Sequence, residues 1–181
     1  MDLELILENE RAGLVPLTMQ HHPELLPIAL QEGLLRYSPS TIASPEALKD
    51  YISLALADQA KCTALPFAIY DKYQGTLAGS TRYMHMDPRH KVLHIGSTWI
   101  GREFQGTGLN GAVKQLLLDH AFFMMDFEKV EFRIDERNWP SRKAVEKLGC
   151  TLEGILRQNV FLADGYKRNT CCYGLLRTEW S

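Results

Sequence analysis

The residues best suited to chemistry lie in one run, Thr98-Trp99-Ile100-Gly101-Arg102-Glu103-Phe104-Gln105-Gly106-Thr107-Gly108-Leu109-Asn110. Its start reads as the end of a strand, its middle as a glycine-containing loop, and its end as the first turn of a helix. Backbone N–H groups at such a helix start have no partner within the helix. Glycine lets the main chain approach a ligand closely, and the helix dipole favours an anion there. The chemistry that follows is phosphate binding by backbone amides. A strand–helix turn that needs glycine only for its geometry is the alternative. A P-loop requires Gly-Lys-Ser/Thr, but Leu109-Asn110 follow Gly108. Gly106-x-Gly108-x-x-Gly111 has the dinucleotide spacing, yet the chain lacks the series of βαβ units that would go with it.

The surrounding elements must position this run. Leu3 to Leu7 alternates as a strand, and residues 14–17 suggest a second short extended piece. Apolar spacing over 20–36 predicts a helix entered near Pro23. Ser44-Pro45 predicts a helix start, with Ser as cap and Pro in the first turn, running to about Ala60. Strands are expected at 65–70, 77–86 and 92–100, and a helix from Gly106 to Phe127 whose apolar stripe includes a packed His120. A strand at 130–134 leads to a helix over 138–148, capped by Asn138 and closed by Gly149. Two strands, 155–162 and 166–176, flank the Asp164-Gly165 turn. Antiparallel runs plus β-α-β connections predict an α/β (α+β) fold with a mixed sheet and about four helices, as one domain over 1–181.

Composition narrows the class. The chain has 181 residues, 45% apolar and 23% charged, which excludes a mainly disordered, collagen-like or coiled-coil protein. No apolar run is long enough to span a membrane, and the acidic N-terminus lacks a signal-peptide plan, so a cytoplasmic protein is expected. The four cysteines form no C-x-x-C pair and read as buried thiols; no Cys/His spacing suggests a metal. No basic run marks nucleic-acid binding. Residues 1–60 hold three basic against nine acidic side chains, which predicts steering of a cationic acceptor by that part of the chain.

Gln105-Gly106-Thr107-Gly108-Leu109-Asn110, then Asn138-x-x-Ser141 with Lys147-Leu148-Gly149, then Glu153-Gly154-x-Leu156-Arg157 and Asp164-Gly165, resemble the GNAT acetyltransferase superfamily in its RimJ/RimL-type protein N-acetyltransferase branch. The resemblance runs over nearly the whole chain. It implies a twisted, mostly antiparallel sheet split between the strands at 92–100 and 130–134, with acetyl-CoA in the split. The implied pyrophosphate site is the backbone of Gln105, Gly106, Thr107, Gly108, Leu109 and Asn110, although Asn110 stands where the family motif has glycine or alanine. Backbone groups of Thr98, Trp99 and Ile100 would hold the pantetheine arm and the acetyl carbonyl, Asn138 the other side of the arm, and Ser141 would sit near the thioester sulfur.

The resemblance implies direct attack of an amine, such as a peptide N-terminus or a small amine, on the thioester in a ternary complex. The acid and base positions of RimI-like relatives hold Val145 and Arg133 here. Glu131, on the strand face that carries Arg133, is the remaining candidate base, and Ser141 the remaining donor to the leaving thiolate. A CoA-binding regulatory module without turnover is the alternative function. Strand-rich C-termini in the superfamily often pair, so a homodimer is compatible with the sequence.

Overall fold

In this computed structural model, which describes residues 3–180, eight strands form one sheet in the order β1-β2-β3-β4-β5-β6-β8-β7. They are β1 (Leu7–Glu8), β2 (Ala12–Pro16), β3 (Leu65–Asp71), β4 (Thr76–Asp87), β5 (Val92–Ile100), β6 (Lys129–Asp135), β7 (Thr151–Phe161) and β8 (Lys167–Leu176). The α-helices are α1 (His22–Ala29), α2 (Pro45–Ala60), α3 (Leu109–Asp119) and α4 (Trp139–Glu146). Every neighbouring strand pair is antiparallel except β5–β6. Among the described residues no helix is long and apolar enough to cross a membrane.

The sheet has a layer on each face. Leu109, Val113 and Leu117 of α3 pack with Phe67, Tyr83 and Phe132 on one face; Leu25, Leu48 and Ile52 of α1 and α2 pack with Ala68, Leu77 and Trp99 on the other. Alternation along β5 puts Leu93 and Ile95 on the α3 side. Trp99, an even number of residues further on, lies on the α1–α2 side. A bulge explains the switch: the β4–β5 register slips between Ser80 and Arg82, and Ser97 has φ +47°.

Several elements are shorter than the sequence predicts. The strand expected over Leu3–Leu7 is only Leu7–Glu8, because Asn9 Oδ1 takes the N–H groups of Arg11 and Ala12 at 2.9 and 2.8 Å and turns the chain. The helix expected over 20–36 stops at Ala29. Pro27 lies within it and supplies no N–H, and Gly33 is left-handed at φ +71°. The helix expected from Gly106 begins at Leu109, since Gly106 and Gly108 have φ of +75° and +89°. Past Asp119 the chain widens into a π turn, in which the Met125 N–H donates to the His120 carbonyl at 2.9 Å. The helix expected over 138–148 spans Trp139–Glu146, and Gly149 turns the chain at φ +90°. β7 starts at Thr151 rather than 155. Cys62 is exposed, in a left-handed turn after α2, which corrects the expectation of four buried thiols.

α2 starts as predicted: Pro45 opens it and Ser44 Oγ accepts the Ala47 N–H at 3.2 Å. Ser44→Ala is expected to cost about 1 kcal/mol in a urea titration, the usual worth of such a cap.

Candidate active site

β5 and β6 pair at only three positions, Val92↔Lys129, Leu93↔Val130 and His94↔Glu131. Beyond them β5 stays with β4, through Ser80↔Trp99 and Gly79↔Ile100, while β6 stays with β8 as far as Asp135↔Thr170. The β4–β5 contact is so close that a Cβ on Gly79 would stand 2.0 Å from the Trp99 carbonyl oxygen. The strands therefore part, and the facing edges of 95–100 and 132–135 share no ladder. Backbone donors and acceptors there need another partner.

The phosphate-type loop lies at the open end of this split. Gln105 Nε2 donates to the Ile100 carbonyl at 3.0 Å and Thr107 Oγ1 to the Phe104 carbonyl at 2.7 Å, so both side chains brace the loop. Gly108 caps α3 without a side chain, leaving the first-turn amides of Leu109, Asn110 and Gly111 outside the helix ladder. A Cβ on Gly106, Gly108 or Gly111 would meet nothing within 4 Å, so the space before these amides is open. A phosphate fits the donor set. The sequence reading missed Arg11. It reaches the loop with Nη2 3.1 Å from Thr107 Oγ1, is ion-paired with Asp71, and stacks 4.3 Å over the Tyr73 ring. Only the sheet brings it there from across the chain.

On the other lip, Asn138 Oδ1 accepts the Ser141 N–H at 3.3 Å, and among the described residues its Nδ2 makes no hydrogen bond. Ser141 is half-buried in the first turn of α4. Beneath the split, on the α3 face, Lys114 Nζ donates to Thr98 Oγ1 at 2.9 Å, and Thr98 Oγ1 lies 2.7 Å from Thr81 Oγ1. The same ammonium lies 5.4 Å from the Phe132 ring centre, so Lys114 touches both lips. Among the described residues it has no ion pair, and burial pushes its pKa down to about 7.

On the opposite face, Glu131 sits at the closed end of the split. Its Oε1 is 3.1 Å from Lys129 Nζ, and its Oε2 is 2.8 Å from Arg133 Nη2 and 3.2 Å from His94 Nε2. Burial raises the Glu131 pKa, but the hydrogen bonds from Lys129 and Arg133 outweigh it and hold the group below the usual range. Burial takes His94 down to about 4, so it is neutral at pH 7. Glu131 is thus ionised with both oxygens engaged, a weak base for an amine. Strand alternation correctly puts Glu131 and Arg133 on one face; His94 was missed because the parallel register that joins it to Glu131 leaves no local trace. The Trp99 side chain is buried in the α1–α2 layer and donates to Tyr51 Oη at 3.2 Å, and its carbonyl faces Gly79 of β4, so of the three residues expected to offer backbone to the split Trp99 is turned away while its neighbours Thr98 and Ile100 alternate toward it. Among the described residues no three His, Cys, Asp or Glu side chains gather as a metal site.

The acetyltransferase (GNAT) domain family matches residues 11–151. YdaF of Bacillus subtilis (strain 168), provisionally named a ribosomal N-acetyltransferase, is 30% identical over 60% of this chain. The matched stretches span 58% and 64% of the two first curated relatives, less than two thirds of either. A GCN5-related N-acetyltransferase from Brucella melitensis superposes with a TM-score of 0.89 at 27% identity, over 98% of this chain and 80% of its own. RimJ of Mycobacterium smegmatis, solved with CoA-disulfide, shares the fold at 23% identity and a TM-score of 0.81, over 93% and 83% of the two chains.

Lys114 gives a pH signature. Its folded pKa lies below that of the unfolded chain, so between them the unfolded state binds more protons and stability rises with pH. From pH 7 to 9 the wild type is expected to gain stability relative to Lys114→Met, read as a rising difference between the wild-type and variant chemical-denaturation midpoints. Parallel curves would refute this.

Proposed function

Because the chain belongs to the acetyltransferase (GNAT) domain family, we propose that it moves an acetyl group from acetyl-CoA to the α-amine of a protein or peptide. The observation that carries this reading is the parting of β5 and β6 beside an open, amide-lined loop. The amides of Gly106–Asn110, with Arg11, hold the pyrophosphate. The pantetheine arm completes the open edge at Thr98–Ile100, with Asn138 Nδ2 as a donor from the other lip. In this reading the Thr98 N–H stabilises the oxyanion.

The acceptor approaches from the His94–Glu131 face. Its nitrogen lone pair forms the C–N bond, the C–S bond breaks, and the electron pair leaves on sulfur. The ammonium proton passes to solvent or to the thiolate, with Ser141 and the α4 N-terminus near the departing sulfur. Glu131 positions His94 and water rather than removing the proton itself. An α-amine suits this arrangement. With a pKa of ~7.7–8.0, on the order of a tenth is already neutral near pH 7, whereas a lysine at ~10.4 would need a strong base. The name of YdaF supports a protein acceptor. The engaged state of Glu131 favours one second reading, a CoA-binding module without turnover, which an acceptor screen separates from the first. Exposed apolar side chains on β7, among them Ile155, Leu156 and Phe161, support a homodimer formed through this edge strand.

Two outcomes test the proposal. Gly108→Val puts a branched side chain into a left-handed position before the loop amides and is expected to abolish CoA binding in a calorimetric titration that gives a clear Kd for wild type. If Glu131 only positions, Glu131→Gln loses less than about tenfold in kcat, and kcat/KM climbs with the acceptor's free-amine fraction from pH 6 to 9.5. A thousandfold loss would identify Glu131 as a dedicated base.

A further inference from the structure

Arg82 is the unexplained cation of the acceptor face. It lies on β4 opposite Gly96 of β5, and its residue exposure is 7%. The guanidinium stacks 4.7 Å over the Tyr51 ring. Tyr51 in turn donates to the Ser97 carbonyl at 3.4 Å, which places the stack beside the bulge where the split opens. Among the described residues Arg82 makes no ion pair and no hydrogen bond, and its buried Nε has no partner. Leaving that buried N–H without an acceptor is costly.

The other charges on this face are accounted for. Glu131 is shared by Lys129, Arg133 and His94, and Asp135 is bound by Arg137. Lys129 also holds Glu153. Arg168 donates to Thr170 Oγ1 and the Tyr37 carbonyl at 3.0 and 2.9 Å. Among the described residues no carboxylate is paired with Arg82. An arginine already held flat by an aromatic ring, with its fork unfilled, suits a carboxylate.

We propose that Arg82 binds a carboxylate of the acceptor, so that the substrates are primary amines carrying a carboxylate close to the amine. This rests on the transferase reading above and adds the acceptor class to it. Two sources supply the chemistry: a peptide with an acidic residue at its first or second position, and a free amino acid. The sign is opposite to that expected from the acidic surplus of residues 1–60. Those carboxylates, such as Glu24, Glu32, Glu46 and Asp50, are exposed rather than gathered at the split.

The test is thiol release from acetyl-CoA with C-terminally amidated tetrapeptides that differ only at the second residue, Glu, Ala or Lys, together with free glutamate and alanine. The wild type is expected to favour the Glu peptide over the Ala peptide at least tenfold in kcat/KM and the Lys peptide least. Free amino acids that outrun every peptide would assign the carboxylate to that source. Arg82→Gln should bring the Glu/Ala ratio close to one, and Arg82→Lys should keep part of it. A CoA-induced thermal shift checks that each variant is folded; if Arg82→Gln is not, the wild-type ratio and Arg82→Lys decide. Equal turnover of Glu and Ala peptides by wild type, with free amino acids no better, overturns the carboxylate site and leaves the transferase standing. So does an unchanged ratio in folded Arg82→Gln. No turnover with any acceptor, despite CoA binding, overturns the transferase reading and the acceptor class with it.

Discussion

The site depends on where β5 and β6 stop pairing. After His94↔Glu131 each strand keeps its outer neighbour and loses its inner one. Holding them apart needs each to be better satisfied elsewhere. β6 is, through an uninterrupted ladder to β8 from Lys129 to Asp135. β5 is, through the close β4 contact at Gly79 and the Ser97 bulge that bends it away. The gap then exposes extended backbone, whose amides and carbonyls cannot stay unpaired once covered. Something strand-like with amides of its own fits there, and a pantetheine arm has that character.

Two side-chain groups pin the gap from opposite faces. On the α3 side Lys114 joins Thr98 and Thr81 and lies against Phe132, so one flexible side chain touches both separated strands. On the α1–α2 side Glu131 gathers His94, Lys129 and Arg133 at the last paired position. Among the described residues the first group has no countercharge, and the second has more donors than its carboxylate needs. Neither group offers a free anion to the split, which would suit a ligand that develops negative charge there.

Much of this architecture was legible from local pattern. β5 was readable to the residue, because a turn before it and the glycine loop after it bound it at both ends. The start of α2 was readable because Ser44 and Pro45 carry the cap chemistry themselves. Helix ends were less so: the π turn after Asp119 keeps apolar residues at near-helical spacing, so periodicity runs past the α-helix into it. Long-range partnerships were not legible at all. Arg11 beside Thr107, Lys114 beneath Thr98 and His94 beside Glu131 each depend on strand order, and nothing in their local sequence distinguishes them from ordinary surface residues.

Charge is where composition and structure pull apart most clearly. A three-to-nine imbalance over sixty residues looks like a field, but it is a sum over side chains that mostly face water. Exposed charges are largely screened beyond about 8–10 Å at physiological salt, whereas a buried charge is screened far less. One arginine at 7% exposure, with no ion pair among the described residues and beside the opening of the split, therefore outweighs the exposed carboxylates of α1 and α2, Glu24, Glu46 and Asp50. The local potential at the split is set by which buried charges the fold leaves unmatched, and strand register, rather than composition, decides that.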